Sequence, residues 1–125
     1  MKKNKILLVE DDIYLRKLYR KKFEISNFSI FEAQNGIEGL KKINLIHPDV
    51  LLLDMSMPKM DGIEFLNNLA KSGTSKCLPI IVLSAISEKV IIDKCKKKLN
   101  VNFYFVKHKA NPNQILSKIK SMIEV

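Results

Sequence analysis

The sequence predicts an α/β protein with one doubly wound parallel sheet of five strands, covered by helices on both faces. Short apolar runs alternate along the chain with longer amphipathic stretches, as in parallel sheets joined by helical crossovers. Runs such as 50–53 are apolar at every position, which is typical of strands buried on both faces. A (β/α)₈ barrel needs about 250 residues, whereas this chain has 125. Its length favours a single domain, 1–125.

The first two predicted strands are each followed by a helix. Lys5–Val9 is an apolar run that predicts the first strand, and the stretch Ile13–Glu24 carries apolar residues near helical spacing. Ser29–Ala33 alternates and predicts the second strand. Asn35 and Glu38 form a capping-box pattern that opens the second helix, with Asn35 as N-cap and Glu38 reaching back.

The middle of the chain repeats this pattern around two strongly apolar runs. Val50–Leu53 predicts the third strand, and Met55–Gly62 is a loop rich in turn-forming residues. A helix is predicted from Ile63 to about Ala70. Pro79–Leu83 predicts the fourth strand.

The last part of the chain supplies one more strand between two helices. Ser87 is the predicted cap of a helix that runs to about Leu99, and Asn100 suits a left-handed residue after it. Phe103–Val106 predicts the fifth strand. Asn111 is the predicted cap of the final helix.

Polar residues follow the predicted strands at the points where they end. The carboxyl ends of parallel strands share one edge of the sheet, where ligands bind in doubly wound folds. Crowded carboxylates favour a cation such as Mg²⁺, and a lysine and a hydroxyl suit phosphoryl oxygens. A carboxylate can also act as a nucleophile and form an aspartyl-phosphate. The residues expected to converge are Glu10, Asp11, Asp12, Asp54, Ser84 and Lys107.

Four segments include or follow these strand ends: LLVEDD at 7–12, DVLLLDMSMPKMDG at 49–62, PIIVLSA at 79–85 and FYFVK at 103–107. Together they resemble the receiver domains of bacterial two-component response regulators. The resemblance covers essentially the whole chain and implies the CheY-like, flavodoxin-like (βα)₅ fold.

The resemblance implies phosphorelay signal transduction. Asp54 would accept a phosphoryl group from a sensor histidine kinase or a histidine phosphotransfer protein, and Lys107 would contact that group. Ser84 would be the hydroxyl switch residue and Tyr104 the aromatic one, which together change the surface of helix 4, strand 5 and helix 5 for a downstream effector. Mg²⁺ would be held by Asp11, Asp12, Asp54 and the backbone carbonyl of Ser56. The positions that tune dephosphorylation would be Ser56 and Ile86.

His108 departs from the family pattern, which usually has a proline after the lysine, commonly with a cis peptide bond. A cis bond before a non-proline residue costs about 2.5–4 kcal/mol. The sequence therefore predicts a trans bond between Lys107 and His108, and it leaves the reach of Lys107 open.

The excess of basic residues lies mostly in the C-terminal half. Residues 1–62 hold 11 basic and 9 acidic residues, whereas residues 63–125 hold 11 basic and 4 acidic. This surplus indicates either solvated helix faces or a surface for an acidic partner. Its lysines disfavour pairing through helices 4 and 5, so a monomer or weak dimer is expected. Direct nucleic-acid binding is not expected, because aromatic residues are not interleaved with the lysines.

The sequence leaves two alternative functions open and argues against a third. A pseudo-receiver that signals without phosphate and a receiver fragment of a longer DNA-binding or enzymatic regulator both fit the sequence. A Mg²⁺-dependent phosphatase usually has a second aspartate two residues after the first, where this chain has Ser56. We therefore expect no enzyme activity beyond self-catalysed phosphotransfer and autodephosphorylation.

Cys77 and Cys95 match no metal or redox spacing, and no apolar run could span a membrane, so a cytoplasmic protein is expected.

Overall fold

The structure is a computed structural model that describes residues 3–54 and 62–123. Within these ranges, five strands alternate with five α-helices, as the sequence predicts. The strands are β1 Lys5–Val9, β2 Ser29–Ala33, β3 Val50–Asp54, β4 Ile80–Ser84 and β5 Phe103–Val106. The helices are α1 Ile13–Ile25, α2 Gly36–Ile46, α3 Gly62–Lys71, α4 Lys89–Lys98 and α5 Pro112–Ile123.

The strands form one parallel sheet in the order β2-β1-β3-β4-β5. The predicted doubly wound fold is therefore confirmed. The order reverses between β1 and β3, where Leu7 pairs with Leu51 and Val9 with Leu53. Ligands bind outside the carboxyl ends of strands at such a reversal. The sheet topology thus predicts a functional site at the edge beyond Val9 and Leu53.

Two apolar layers, one on each face of the sheet, hold the helices in place. Successive residues of β1 point to opposite faces, so Leu7 and Val9 pack on one side while Ile6 and Leu8 pack on the other. The first layer is completed from α2, α3 and α4 by Ile43, Phe65, Leu66 and Cys95, and the second from α1 and α5 by Tyr19, Phe23, Ile115 and Ile119. Strands buried on both faces explain the fully apolar runs in the sequence.

The predicted helix caps are confirmed at two of three positions. The side chain of Asn35 accepts the N–H of Glu38 at 2.9 Å. Asn111 accepts the N–H of Gln114 at 2.9 Å, and Gln114 reaches back to the N–H of Asn111 at 3.0 Å. The prediction for Ser87 was wrong, because α4 starts one residue later and Glu88 occupies the N-cap position.

Glu38 does not complete the box around Asn35 as predicted. Its carboxylate lies 3.0 Å from the amine of Lys42, one turn further along α2. Asn100 adopts the predicted left-handed conformation, with a φ of 60°. Among the helices of the described ranges, none has both the length and the apolar character of a membrane span.

Candidate functional site

Two buried carboxylates lie side by side where β1 and β3 end. Asp54 is the last residue of β3, one position further than the predicted strand, and is 3% exposed. Glu10 follows β1 and is 1% exposed; its N–H still donates to the carbonyl of Ala33 at 3.0 Å, which continues the β1–β2 pairing. Carboxylate oxygens of Glu10, Asp11 and Asp54 all lie within 4.8 Å of one another. The convergence predicted from the strand ends is therefore present for these three acids.

Lys107 brings a positive charge to the acidic group from the end of β5. Its Nζ lies 3.2 Å from Oδ2 of Asp54 and 3.7 Å from Oε1 of Glu10. Burial lowers the pKa of Lys107, but the charges of Asp54 and Glu10 outweigh this effect and raise the pKa above its ordinary value. The lysine is thus charged at neutral pH and oriented toward Asp54. No peptide bond in the described ranges is cis, so the predicted trans bond before residue 108 is confirmed.

Burial and, to a lesser extent, the neighbouring acids hold a proton on Glu10. Burial is the main cause, and the hydrogen bond and the negative charge of Asp54 add to it; together they raise the pKa of Glu10 from 4.5 to about 9, although Lys107 acts in the opposite direction. Glu10 therefore keeps its proton at neutral pH when no metal ion is bound. A proton held on a buried carboxyl at this pH shows that the site favours additional positive charge.

Glu10→Gln is expected to change the pH dependence of stability. Between about pH 5 and 9 the folded protein keeps a proton on Glu10 that the unfolded chain releases, so the free energy of unfolding falls as pH rises. Glutamine cannot titrate, so the variant should gain stability relative to native protein by up to about 1.4 kcal/mol per pH unit in this range. Urea unfolding in EDTA at several pH values measures the difference. A difference that stays constant from pH 5 to 9 would contradict the raised pKa.

Asp12 has a different environment from the one the sequence suggested. Its Oδ1 accepts the N–H groups of Tyr14 at 2.9 Å and Leu15 at 3.2 Å, which makes it the N-cap of α1. The acids whose carboxylates converge on Asp54 in the described structure are Glu10 and Asp11, whereas the metal pair implied by the resemblance is Asp11 and Asp12. The reason is local: β1 ends at Val9 and α1 begins at Ile13, which leaves position 12 for the cap.

The predicted switch residues are connected through the backbone of Ile86. Ser84 ends β4, is fully buried, and its Oγ accepts the N–H of Ile86 at 3.0 Å. The hydroxyl of Tyr104 donates to the carbonyl of Ile86 at 2.8 Å, and its half-buried ring packs against the apolar layer shared by α2, α3 and α4. Burial raises the pKa of Tyr104, so its hydroxyl stays protonated and able to donate.

Ser56, predicted to supply a metal-binding carbonyl, lies outside the described residues, as does the side chain of His108.

Arg16 is a site residue that the sequence analysis missed. Its guanidinium lies between the carbonyls of Glu10 and Asp11 and the carboxylate of Glu32 on β2. A signal was present in the sequence, since an arginine one turn into the helix after an acidic cluster can reach back to that cluster.

The sequence matches the family model "Response regulator receiver domain" over residues 6–120. The chain belongs to this family. The receiver domain is 35% identical to the chemotaxis protein CheY of Listeria monocytogenes over 96 residues, which are 74% of this chain and 78% of that protein. It is 39% identical over 89 residues to the response regulator MprA of Mycobacterium tuberculosis, but the match covers 69% of this chain and 38% of MprA.

Solved structures agree with this assignment of the fold. The receiver domain of the Francisella response regulator 1452 superposes with a TM-score of 0.87 at 27% identity, and the match covers 97% of both chains. The receiver domain described here is therefore a component of two-component signalling systems. The comparison with MprA shows that similar receivers also occur within longer regulators.

Proposed function

We propose that this receiver domain accepts a phosphoryl group on Asp54 from the phosphohistidine of a sensor histidine kinase or a histidine phosphotransfer protein, in a Mg²⁺-dependent reaction. The observation that carries the proposal is the setting of Asp54. Its carboxylate lies at the carboxyl edge of the sheet, 3.2 Å from the amine of Lys107 and beside Glu10 and Asp11. A buried carboxylate with an adjacent fixed cation fits phosphoryl transfer to the aspartate.

The donor set fits Mg²⁺. Glu10, Asp11 and Asp54 offer only carboxylate oxygens, the ligands that this ion prefers, and Lys107 alone does not balance their charge. These three acids would hold the ion, while the predicted contributions of Asp12 and of the Ser56 carbonyl stay predictions. When bound, Mg²⁺ supplies positive charge that stabilises the oxygens of the phosphoryl group.

The residues of the chain have separate parts in the transfer. An oxygen of Asp54 forms a bond to phosphorus while the bond between phosphorus and the imidazole nitrogen of the donor breaks, and the released imidazole takes up a proton. Lys107 is placed to stabilise the charge on the phosphoryl oxygens. Hydrolysis of the acyl phosphate returns Asp54 to its original state. The catalysis is thus limited to the domain's own phosphorylation and dephosphorylation.

The backbone of Ile86 provides a route from the site to the surface. A phosphoryl group adds about −1.5 to −2 charge and strong hydrogen-bond acceptors beside Ser84. A Ser84 hydroxyl that turns to donate to this group gives up the N–H of Ile86, whose carbonyl holds Tyr104. The surface of α4, β5 and α5 then changes shape for a downstream effector. The proposal places this step in the cytoplasm, with a receiver that is a monomer or weak dimer.

Incubation with acetyl phosphate, with and without Mg²⁺, tests the proposal by intact mass. We expect the addition of one phosphoryl group that requires Mg²⁺ and is reversed over time. No addition under any condition, in a protein shown separately to bind Mg²⁺, would contradict acceptance from small donors. The pseudo-receiver alternative would then be favoured if a purified phosphohistidine donor also failed.

A further inference from the structure

Arg16 connects the acidic site to β2. This residue lies in the first turn of α1, and 13% of its side chain is exposed. Its Nη1 donates to the carbonyl of Glu10 at 2.8 Å and to the carbonyl of Asp11 at 3.4 Å, while its Nε lies 3.3 Å from Oε1 of Glu32. One guanidinium therefore contacts the backbone of both residues whose carboxylates converge on Asp54.

We infer that Arg16 is a positioning residue for the metal-binding carboxylates, holding the backbone of Glu10 and Asp11 so that their side chains stay directed toward Asp54. This inference rests on the proposed Mg²⁺-dependent function. The two residues lie between the end of β1 and the start of α1, where regular pairing with β2 stops after the N–H of Glu10. The contacts of Arg16 hold the backbone of Glu10 and Asp11 in this interval, where the pairing with β2 has ended.

Glu32 anchors the guanidinium on its far side. The carboxylate contacts Arg16 through one oxygen and Arg20 through the other. Burial raises the pKa of Glu32, but the two guanidinium groups outweigh it and lower the pKa below its ordinary value, so Glu32 is ionised at neutral pH. Arginine suits this position because its rigid fork of donors can serve a carboxylate and a carbonyl at the same time.

The direction of the change in Mg²⁺ affinity distinguishes a positioning role of Arg16 from a purely electrostatic one. Arg16 carries a positive charge near a site for a cation, so its removal should strengthen Mg²⁺ binding if charge alone matters. Loss of positioning should weaken binding instead. Groups that orient metal ligands typically contribute 10–100-fold to metal affinity when mutated. A weakened affinity in a folded variant is therefore a signature that charge removal cannot produce.

Arg20 provides a matched control on the same helix. It also pairs with Glu32, but its side-chain contacts among the described residues are with Glu32 and Glu24 and not with the carbonyls of Glu10 or Asp11. Arg16→Met and Arg20→Met therefore remove the same charge from the same helix and from the same carboxylate. They differ in whether the acidic segment loses its contact.

Isothermal titration with Mg²⁺, together with urea unfolding in EDTA, tests the inference on the full chain. We expect the Kd for Mg²⁺ to rise at least tenfold in Arg16→Met, to change less than twofold in Arg20→Met, and to be intermediate in Arg16→Lys, whose amine can reach one carbonyl. A folded Arg16→Met that binds with the native Kd or more tightly overturns the inference. If Arg16→Met fails to fold, Arg16→Lys decides, and a native Kd there overturns it. If the native protein itself binds no Mg²⁺, the proposed metal dependence fails, and this inference falls with it.

Discussion

Asp54→Asn is expected to abolish the mass increase that native protein shows with acetyl phosphate and Mg²⁺. The amide has no negative charge and is too weak a nucleophile to form the acyl phosphate. The fold should persist, because the change removes one of three crowded acids and leaves the side-chain volume almost unchanged. Intact mass spectrometry at equal Mg²⁺ measures the loss, and circular dichroism checks the fold.

Asp93→Asn is a suitable control for this experiment. Asp93 lies on α4 and is not among the acids that converge on Asp54, so this variant should gain one phosphoryl group as native protein does. A mass increase that persists in Asp54→Asn would show that another side chain accepts the group, and the assignment of the acceptor would be wrong.

Lys107→Met is expected to slow phosphorylation by about 10²–10³-fold, as for other losses of a charge-stabilising donor from a preorganised site. Methionine preserves much of the apolar stem but has no amine to place 3.2 Å from Asp54. The same variant should bind Mg²⁺ more tightly, since a competing cation has left the acidic group. Opposite changes in rate and metal affinity would separate stabilisation of the phosphoryl group from support of the metal site.

The control for this variant is Lys109→Met, two residues further along the chain. Lys109 is exposed, and in the described part of the chain the lysine paired with Glu10 and Asp54 is Lys107, so neither rate nor metal affinity should change. A native phosphorylation rate in Lys107→Met would show that the observed contact with Asp54 has no part in the transfer.

The sequence was most informative where burial leaves few choices. Strands with both faces covered must be apolar at each position, so Val50–Leu53 could be recognised and its end located within one residue. Once the strands are known to be parallel, their carboxyl ends share one edge. The contact between Asp54 and Lys107 follows from that topology, although 53 positions separate them.

The sequence was least informative where one residue of offset changes the role of a side chain. Three acids in succession follow β1, and the helix start decides which of them is a cap; the sequence placed all three at the site and did not show that Asp12 caps α1. The start of α4 moved by one residue in the same way, from Ser87 to Glu88. Arg16 was missed because its contact with the acidic segment depends on where Glu32 lies across the sheet, which no local pattern reports.

The contacts of Ile86 also determine which substitutions the proposed link between Ser84 and Tyr104 tolerates. Ser84 and Tyr104 both bind main-chain atoms of this residue and leave its partly exposed side chain outside the connection. If position 86 tunes dephosphorylation, as the family resemblance implies, substitutions there can change the lifetime of a signal while the main-chain link between the two switch residues is kept. Proline is the exception, since it has no N–H for Ser84 to accept. Under the proposed function, the timing of the response can therefore change through position 86 without loss of the response itself.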